Sequence, residues 1–312
     1  MLIEFHRNML ADHVRNDAFY RALQHVIRPG ETSLADLGSG SGLLAFLAIK
    51  LGAKACYLYE YSAALKLSQK LAKQNGIRRC HFIHQHSAAV ADPVPVDVIV
   101  SETLGNYAFE ENIIENLEDA KRFLKPGGII IPQRIEQYVA PITAERFYTE
   151  MCTWDDVGFD LDFALAKEAS LNNLYVRTIA PDDLLQAENS IQRWDNVDFR
   201  HTNASVRKGR AKWRLEADTT IYGFAIWWSC ELVDGVYLST SPSAPRTHWE
   251  QLYFPVRSPL NVAAGDTLSL VLHSDSRYEV GVNLRWEISV SGASGVLREA
   301  EQKLDMRKGN IE

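Results

Sequence analysis

The chain predicts a parallel-sheet α/β domain followed by an antiparallel β domain, on three observations. Over the first ~130 residues, short apolar runs alternate with amphipathic segments. A glycine-rich turn, LADLGSGSGLL, joins the first apolar run to the segment after it. Beyond about residue 200, aromatic and β-branched runs take over, separated by turn signals.

Residues 8–27 read as one helix, with Met9, Leu10, Val14, Phe19, Leu23 and Val26 on its apolar face. TSLADLG is a first strand, SGLLAFLAIKLGA a helix ending near Gly52, and ACYLYE a second strand. SAALKLSQKLAKQNG is an amphipathic helix closed by Gly76, as a C-cap glycine would close it. CHFIHQ and VDVIVS are further strands, and the helix through ENIIENLEDAKRFL is expected to begin near Glu110 and Glu111 and to end at KPGG. Strands separated by helices imply a parallel sheet covered on both faces. Residues 151–174 look helical and partly exposed. TTIYGFAIWWSCELV, GVYLSTS, TLSLVLHS and NLRWEISVSG are strands of a sandwich or a barrel.

At 312 residues, 46% hydrophobic and 23% charged, the chain has material for one large or two ordinary domains. A net charge of −7 argues against a generic nucleic-acid or membrane-surface binder and suits a cationic substrate. Cys56, Cys80, Cys152 and Cys230 form no CxxC pair, which points to reduced thiols in a cytoplasmic protein. The amino terminus lacks a signal-peptide pattern, and no apolar run approaches the roughly 20 residues that span a bilayer.

Asp36, Gly38, Gly40 and Gly42 form a DxGxGxG turn at a strand end, where open α/β sheets bind ligands. A dinucleotide loop would need glycine at 43, where this chain has leucine. The turn instead resembles the S-adenosylmethionine loop of class I methyltransferases. Glu60, at the end of the second strand, is placed to accept both ribose hydroxyls.

Glu102 follows the run VDVIV directly, at the ligand-binding edge. Buried there without a partner, it would cost several kcal/mol. Acids near a helix start are ordinary, since they complement the helix dipole. Glu102 lacks that explanation, and with Glu111 it forms a candidate clamp for a guanidinium, whose planar donors match carboxylates in pairs. His81, His84 and His86 read as a strand with 84 and 86 on one face; with no acid or cysteine nearby in sequence, no metal site is expected.

The stretch SETLG followed by Glu111 resembles the double-glutamate loop of protein arginine methyltransferases, and SAPRTHWEQLYFP carries a Thr247-His248-Trp249 run similar to that family's Thr-His-Trp loop. FHRNMLADHVRNDAFY is similar to the helix before its glycine loop. The resemblance implies a class I methyltransferase Rossmann-like domain over 1–132, then an antiparallel β-barrel-like substrate domain over 133–312 with a helical dimerisation arm at about 151–185. S-adenosylmethionine would be held by His6, Met9, Arg15, Asp36, Gly38, Gly40, Gly42, Glu60 and Ser87, with Arg15 on the carboxylate of the methionine moiety. Glu102 and Glu111 would grip the substrate guanidinium, Trp249 would form a wall, and Asp12 would pair with His248. A hairpin histidine beside a tryptophan is otherwise often just hydrogen-bonded.

What the resemblance implies is methyl transfer to arginine in a protein or peptide by a homodimer, with no metal, nucleic acid or membrane. Methylation of free arginine or a small guanidine, or a catalytically inactive cofactor-binding member, are the alternatives. The chain departs from the family in two loops: Thr103 and Leu104 replace its tryptophan and methionine, and His86-Ser87-Ala88 stands where an acid commonly contacts the adenine amino group. Five residues precede His6, so the family's N-terminal helix is expected to be absent and the cofactor site to be open or closed by another element.

Overall fold

The computed structural model describes residues 3–298 and 301–310. Strands β1 (Ser33–Leu37), β2 (Ala55–Tyr59), β3 (Cys80–Ile83), β4 (Val96–Ser101) and β5 (Leu124–Ile131) form a parallel sheet in the order β3-β2-β1-β4-β5. All five residues of β1 are buried, as expected for a central strand covered on both faces. Helices α3 (Leu43–Lys50), α4 (Ala64–Gln74) and α5 (Ile113–Ala120) connect the strands. The KPGG stretch does not merely end the helix before it: it lies inside β5, which pairs with β4 through a register shift.

The expected helix over 8–27 is two helices, α1 (Ile3–Ala11) and α2 (His13–Val26). Asp12 breaks them with extended backbone, and its side chain accepts from the Arg15 amide at 2.9 Å, capping α2. Helical periodicity alone does not register such a break, because a cap interrupts the chain without changing the period of the apolar positions on either side.

The second half holds β6 (Arg134–Ile142), β7 (Tyr175–Arg177), β8 (Gln192–Asp198), β9 (Val206–Arg214), β10 (Thr219–Val233), β11 (Val236–Ser239), β12 (Gln251–Val262), β13 (Thr267–Asp275), β14 (Asn283–Ser291) and β15 (Gln302–Asp305). They build two antiparallel sheets, β7-β12-β10-β6-β8 with β11 beside β10, and β15-β14-β13-β9. Glutamine side chains join the sheet edges. Gln302 accepts from the Arg257 amide at 2.7 Å and donates to the Ser258 carbonyl at 3.0 Å. Gln192 accepts from the Lys212 amide at 3.0 Å and donates to the Lys212 carbonyl. An amide side chain thus satisfies edge groups that a ladder would otherwise pair, giving the barrel-like closure.

Helices α6 (Arg146–Met151) and α7 (Ala164–Leu171) pack on this domain through the buried Phe147 and Leu171, and a 3-10 segment and irregular chain join them. Phe159 and Leu165 on this arm are 90% and 89% exposed. Among the described residues, no helix is long and apolar enough to cross a membrane.

Candidate active site

Sheet register assembles the site. Leu37 pairs with Tyr59 on one side and Ser101 on the other, so the next residues, Gly38, Glu60 and Glu102, leave the sheet side by side. This is the carboxyl edge at the point where strand order reverses, the general ligand position of such sheets. A cavity of about 790 Å³ opens there.

Gly38, Gly40 and Gly42 have φ of 68°, 51° and 87°, the left-handed region that favours glycine. A Cβ on Gly40 would sit 3.1 Å from the His6 ring, so α1 lies directly against this turn. Phe5, His6, Met9 and Leu10 of α1 line the cavity on this side. Gly42 does not line the cavity: it caps α3, and a Cβ there would overlap Ser68 and Phe46. Asp36 lines the floor, where it accepts from the Ala45 amide at 3.1 Å; burial, only partly opposed by that bond, pushes its carboxyl up to about 7. Glu60 accepts from the amides of Gly40 at 2.9 Å and Ser62 at 2.7 Å, leaving further lone pairs on both oxygens.

The acidic loop is asymmetric. The side chains of Glu102 and Arg15 are 4% and 5% exposed, and Arg15 donates from Nε at 2.7 Å and from Nη2 to the same Oε2. The positive group that makes Glu102 tolerable is therefore a resident guanidinium. Arg15, expected on a cofactor carboxylate, is engaged by Glu102 while still lining the cavity. Glu111 has no such partner among the described residues. Glu111 is exposed to the cavity, and the protein around it, together with Glu102, Glu110 and Glu60, pushes its carboxyl up to about 7. Glu110 and Glu111 do not begin a helix: they lie in a turn, and α5 starts at Ile113 after the left-handed Asn112. Dipole complementation in a first helical turn is thus not their role.

His248 is held by Asp12, whose Oδ2 accepts from the His248 amide and from its ring Nδ1, both at 2.8 Å. Burial raises the Asp12 carboxyl, but bonds from Arg15 and His248 outweigh it and hold the group below its ordinary value. An ionised Asp12 keeps the proton on Nδ1 and leaves Nε2 as the ring acceptor. Trp249 lines the cavity and donates to the Leu104 carbonyl at 2.8 Å, while Trp228 donates to that of Gly105 at 2.9 Å. The β domain therefore grips the acidic loop by its backbone.

Ser87 is buried and lines the cavity. The strand expected to carry His84 and His86 stops at Ile83: His84 binds the Tyr61 carbonyl at 3.0 Å, His86 caps a short 3-10 turn, and His81 stacks on Tyr57. Sequence reasoning missed Gly105, where a Cβ would overlap Glu110, and Asn106, which accepts from the Glu250 amide at 2.8 Å. Gly105 is visible as a turn residue in SETLGN; Asn106 carries no signal of its own.

A glycine turn at β1, an acid at the end of β2 and this strand order define the class I methyltransferase fold. A family model described as "Arginine methyltransferase oligomerization subdomain" matches residues 133–291, just over half of the chain, and one described as "Ribosomal protein L11 methyltransferase (PrmA)" matches 13–139. The chain belongs to the protein arginine methyltransferase family. It is 29% identical to protein arginine N-methyltransferase 2 of Xenopus tropicalis, over 92% of this chain and 70% of that protein. It is 28% identical to histone-arginine methyltransferase CARMER of Anopheles gambiae, over 93% of this chain but only 50% of that protein. Among solved structures, the Trypanosoma brucei PRMT1 enzyme–prozyme heterotetrameric complex with AdoHcy aligns over 97% of this chain and 98% of its own, with a TM-score of 0.84 at 22% identity. Arabidopsis thaliana protein arginine methyltransferase 10 aligns over 98% of both chains with a TM-score of 0.79, also at 22% identity. At that identity the two structures establish the fold.

Proposed function

We propose that this chain transfers a methyl group from S-adenosylmethionine to a terminal guanidino nitrogen of arginine in a protein or peptide. The carrying observation is the charge of the cavity: among the described residues, Asp36, Glu60, Glu102, Glu110 and Glu111 line it against a single arginine and no lysine. Such a site selects a cation.

The residues present fit the cofactor. Positive-φ glycines allow close backbone approach, Glu60 retains acceptor capacity, and the buried His6 Nδ1 and Ser39 Oγ in the cavity wall have no hydrogen-bond partner. When bound, S-adenosylmethionine supplies an electrophilic methyl on a positively charged sulfur. The substrate guanidinium is also a cation, and two like charges about 4 Å apart repel by about 4 kcal/mol at an effective dielectric of 20. Glu111 offsets that repulsion, and Glu102, its Oε2 already held by Arg15, helps hold the nitrogen in line. They also draw positive charge toward the nitrogens they bind, leaving electron density on the attacking one.

The Glu111 carboxyl is raised by its surroundings and its acidic neighbours, and an arriving guanidinium favours its ionised form. A guanidinium pKa above about 12 rules out deprotonation beforehand. The proton is shed as the N–C bond forms, to Glu111 or to the His248–Asp12 pair.

The exposed apolar arm residues support a homodimer. Phe159→Asp with Leu165→Asp should convert dimer to monomer in light scattering; an unchanged mass would exclude the arm as the interface. Activity is tested by mass spectrometry of an arginine-rich peptide and of free arginine after incubation with labelled S-adenosylmethionine. Methylated peptide is expected. Product only on free arginine would redirect the substrate assignment, and calorimetric cofactor binding with no product on either would end it.

A further inference from the structure

Order along the sheet locates the two ends of the ligand cavity. Glu60 at the end of β2 serves the ribose in the reading above, on which this inference rests, so the base lies beyond it, toward β3. There the cavity is lined by Gln85, His86, Ser87 and Asn116, with no acid to meet an adenine amino group, and by Tyr278 from the β domain. Tyr278 follows β13. Its ring stands edge-on to His86 at 6.4 Å, and His86 in turn lies 5.7 Å from Tyr61. The Tyr278 hydroxyl donates to Asn116 Oδ1 at 2.6 Å, and Asn116 Nδ2 donates to the Glu111 carbonyl at 3.0 Å.

We propose that Tyr278 closes the base end of the cofactor cavity, supplying the aromatic wall with His86, and through Asn116 positions the segment that carries Glu111. A residue of the second domain thereby completes a site built mainly on the first. Asn116 bridges the Tyr278 hydroxyl and the Glu111 backbone, so the base end and the guanidine end share one amide. The neighbouring Ser276 makes a contact of another kind: it is fully buried, bonds Glu115 at 2.7 Å and does not line the cavity. It fastens the same loop without touching ligand.

This difference supplies the control. Calorimetry of S-adenosylhomocysteine binding to the full chain should show Tyr278→Ala weakened about tenfold, from loss of wall and hydrogen bond together. Tyr278→Phe should recover most of that affinity, because the ring remains, yet raise KM for the arginine peptide, because Asn116 is no longer held. Ser276→Ala should bind within about twofold of wild type, since it removes only a bond remote from the ligand. Wild-type affinity in Tyr278→Ala would overturn the proposal alone, as would an equal loss in Ser276→Ala, which would mark general loosening of the loop. Absence of binding by the wild-type chain would remove the parent cofactor reading and this one with it.

Discussion

The two ends of the acidic loop solve the same electrostatic problem in opposite ways. Glu102, at the exit of β4, is buried and compensated by Arg15. Glu111, nine residues on, faces the cavity with no paired cation among the described residues and with other carboxylates around it. A paired buried charge fixes geometry, and breaking such a pair by removing one partner is costly. An unpaired one is held in an unfavourable state that a cationic ligand relieves. One end of the loop is therefore framework and the other is bait, although both are glutamates in one short segment.

The largest expected effect is that of Glu102→Gln. Turnover should fall about a thousandfold, because the guanidinium loses an acceptor that Arg15 holds in place. Arg15 would be left buried without its anion, so unfolding free energy should drop by roughly 3 kcal/mol in urea denaturation. Near wild-type turnover in this variant would dispose of the clamp.

Glu111→Gln should lower turnover about a hundredfold. Unlike its counterpart, it should leave stability at pH 7.5 unchanged or slightly higher, because a repelled carboxylate is removed. A loss of stability matching that of Glu102→Gln would break the asymmetry.

Gly105→Ala places a methyl against Glu110 and should shift the turn that carries Glu111. Turnover should decline about tenfold to a hundredfold, since small misplacements of reacting groups are expensive, while cofactor affinity stays near wild type. Equal losses in both measurements would mean the loop moves as a whole.

The smallest effect is on the pH dependence of stability. Glu111 and Asp36 both titrate at about 7 in the folded chain, against 4.5 and 3.8 ordinarily. Between the lower and the higher values the folded state holds protons the unfolded chain has released. The contribution of these groups to stability therefore falls as pH rises through that window and is level above about pH 7. Glu111→Gln should flatten part of the decline and leave the share due to Asp36; urea midpoints from pH 5 to 8 would measure it.

Much of this was legible beforehand. The α/β alternation, the glycine turn and the later β-rich texture predict both halves of the fold, because apolar period and turn chemistry are local properties. Glu60, Glu102, Glu111, His248 and Asp12 could be singled out by motif. What could not be read was how they are partnered. Arg15 is 87 residues from Glu102, and Asp12 is 236 from His248. The break at Asp12 and the late start of α5 were also hidden, since a cap and a left-handed Asn112 interrupt a pattern without changing its period.

By itself, then, the sequence determined which backbone segments form strands and helices, and which polar residues stand at strand exits where no local helix or turn explains them. Tertiary structure alone decided that Leu37 lies between Tyr59 and Ser101, that Arg15 neutralises one glutamate and leaves the other free, and that the β domain holds the loop through Trp228 and Trp249. The physical reason is range. Propensity and periodicity act over a few residues, whereas the energy of a charge depends on whatever the whole fold brings within a few ångströms of it.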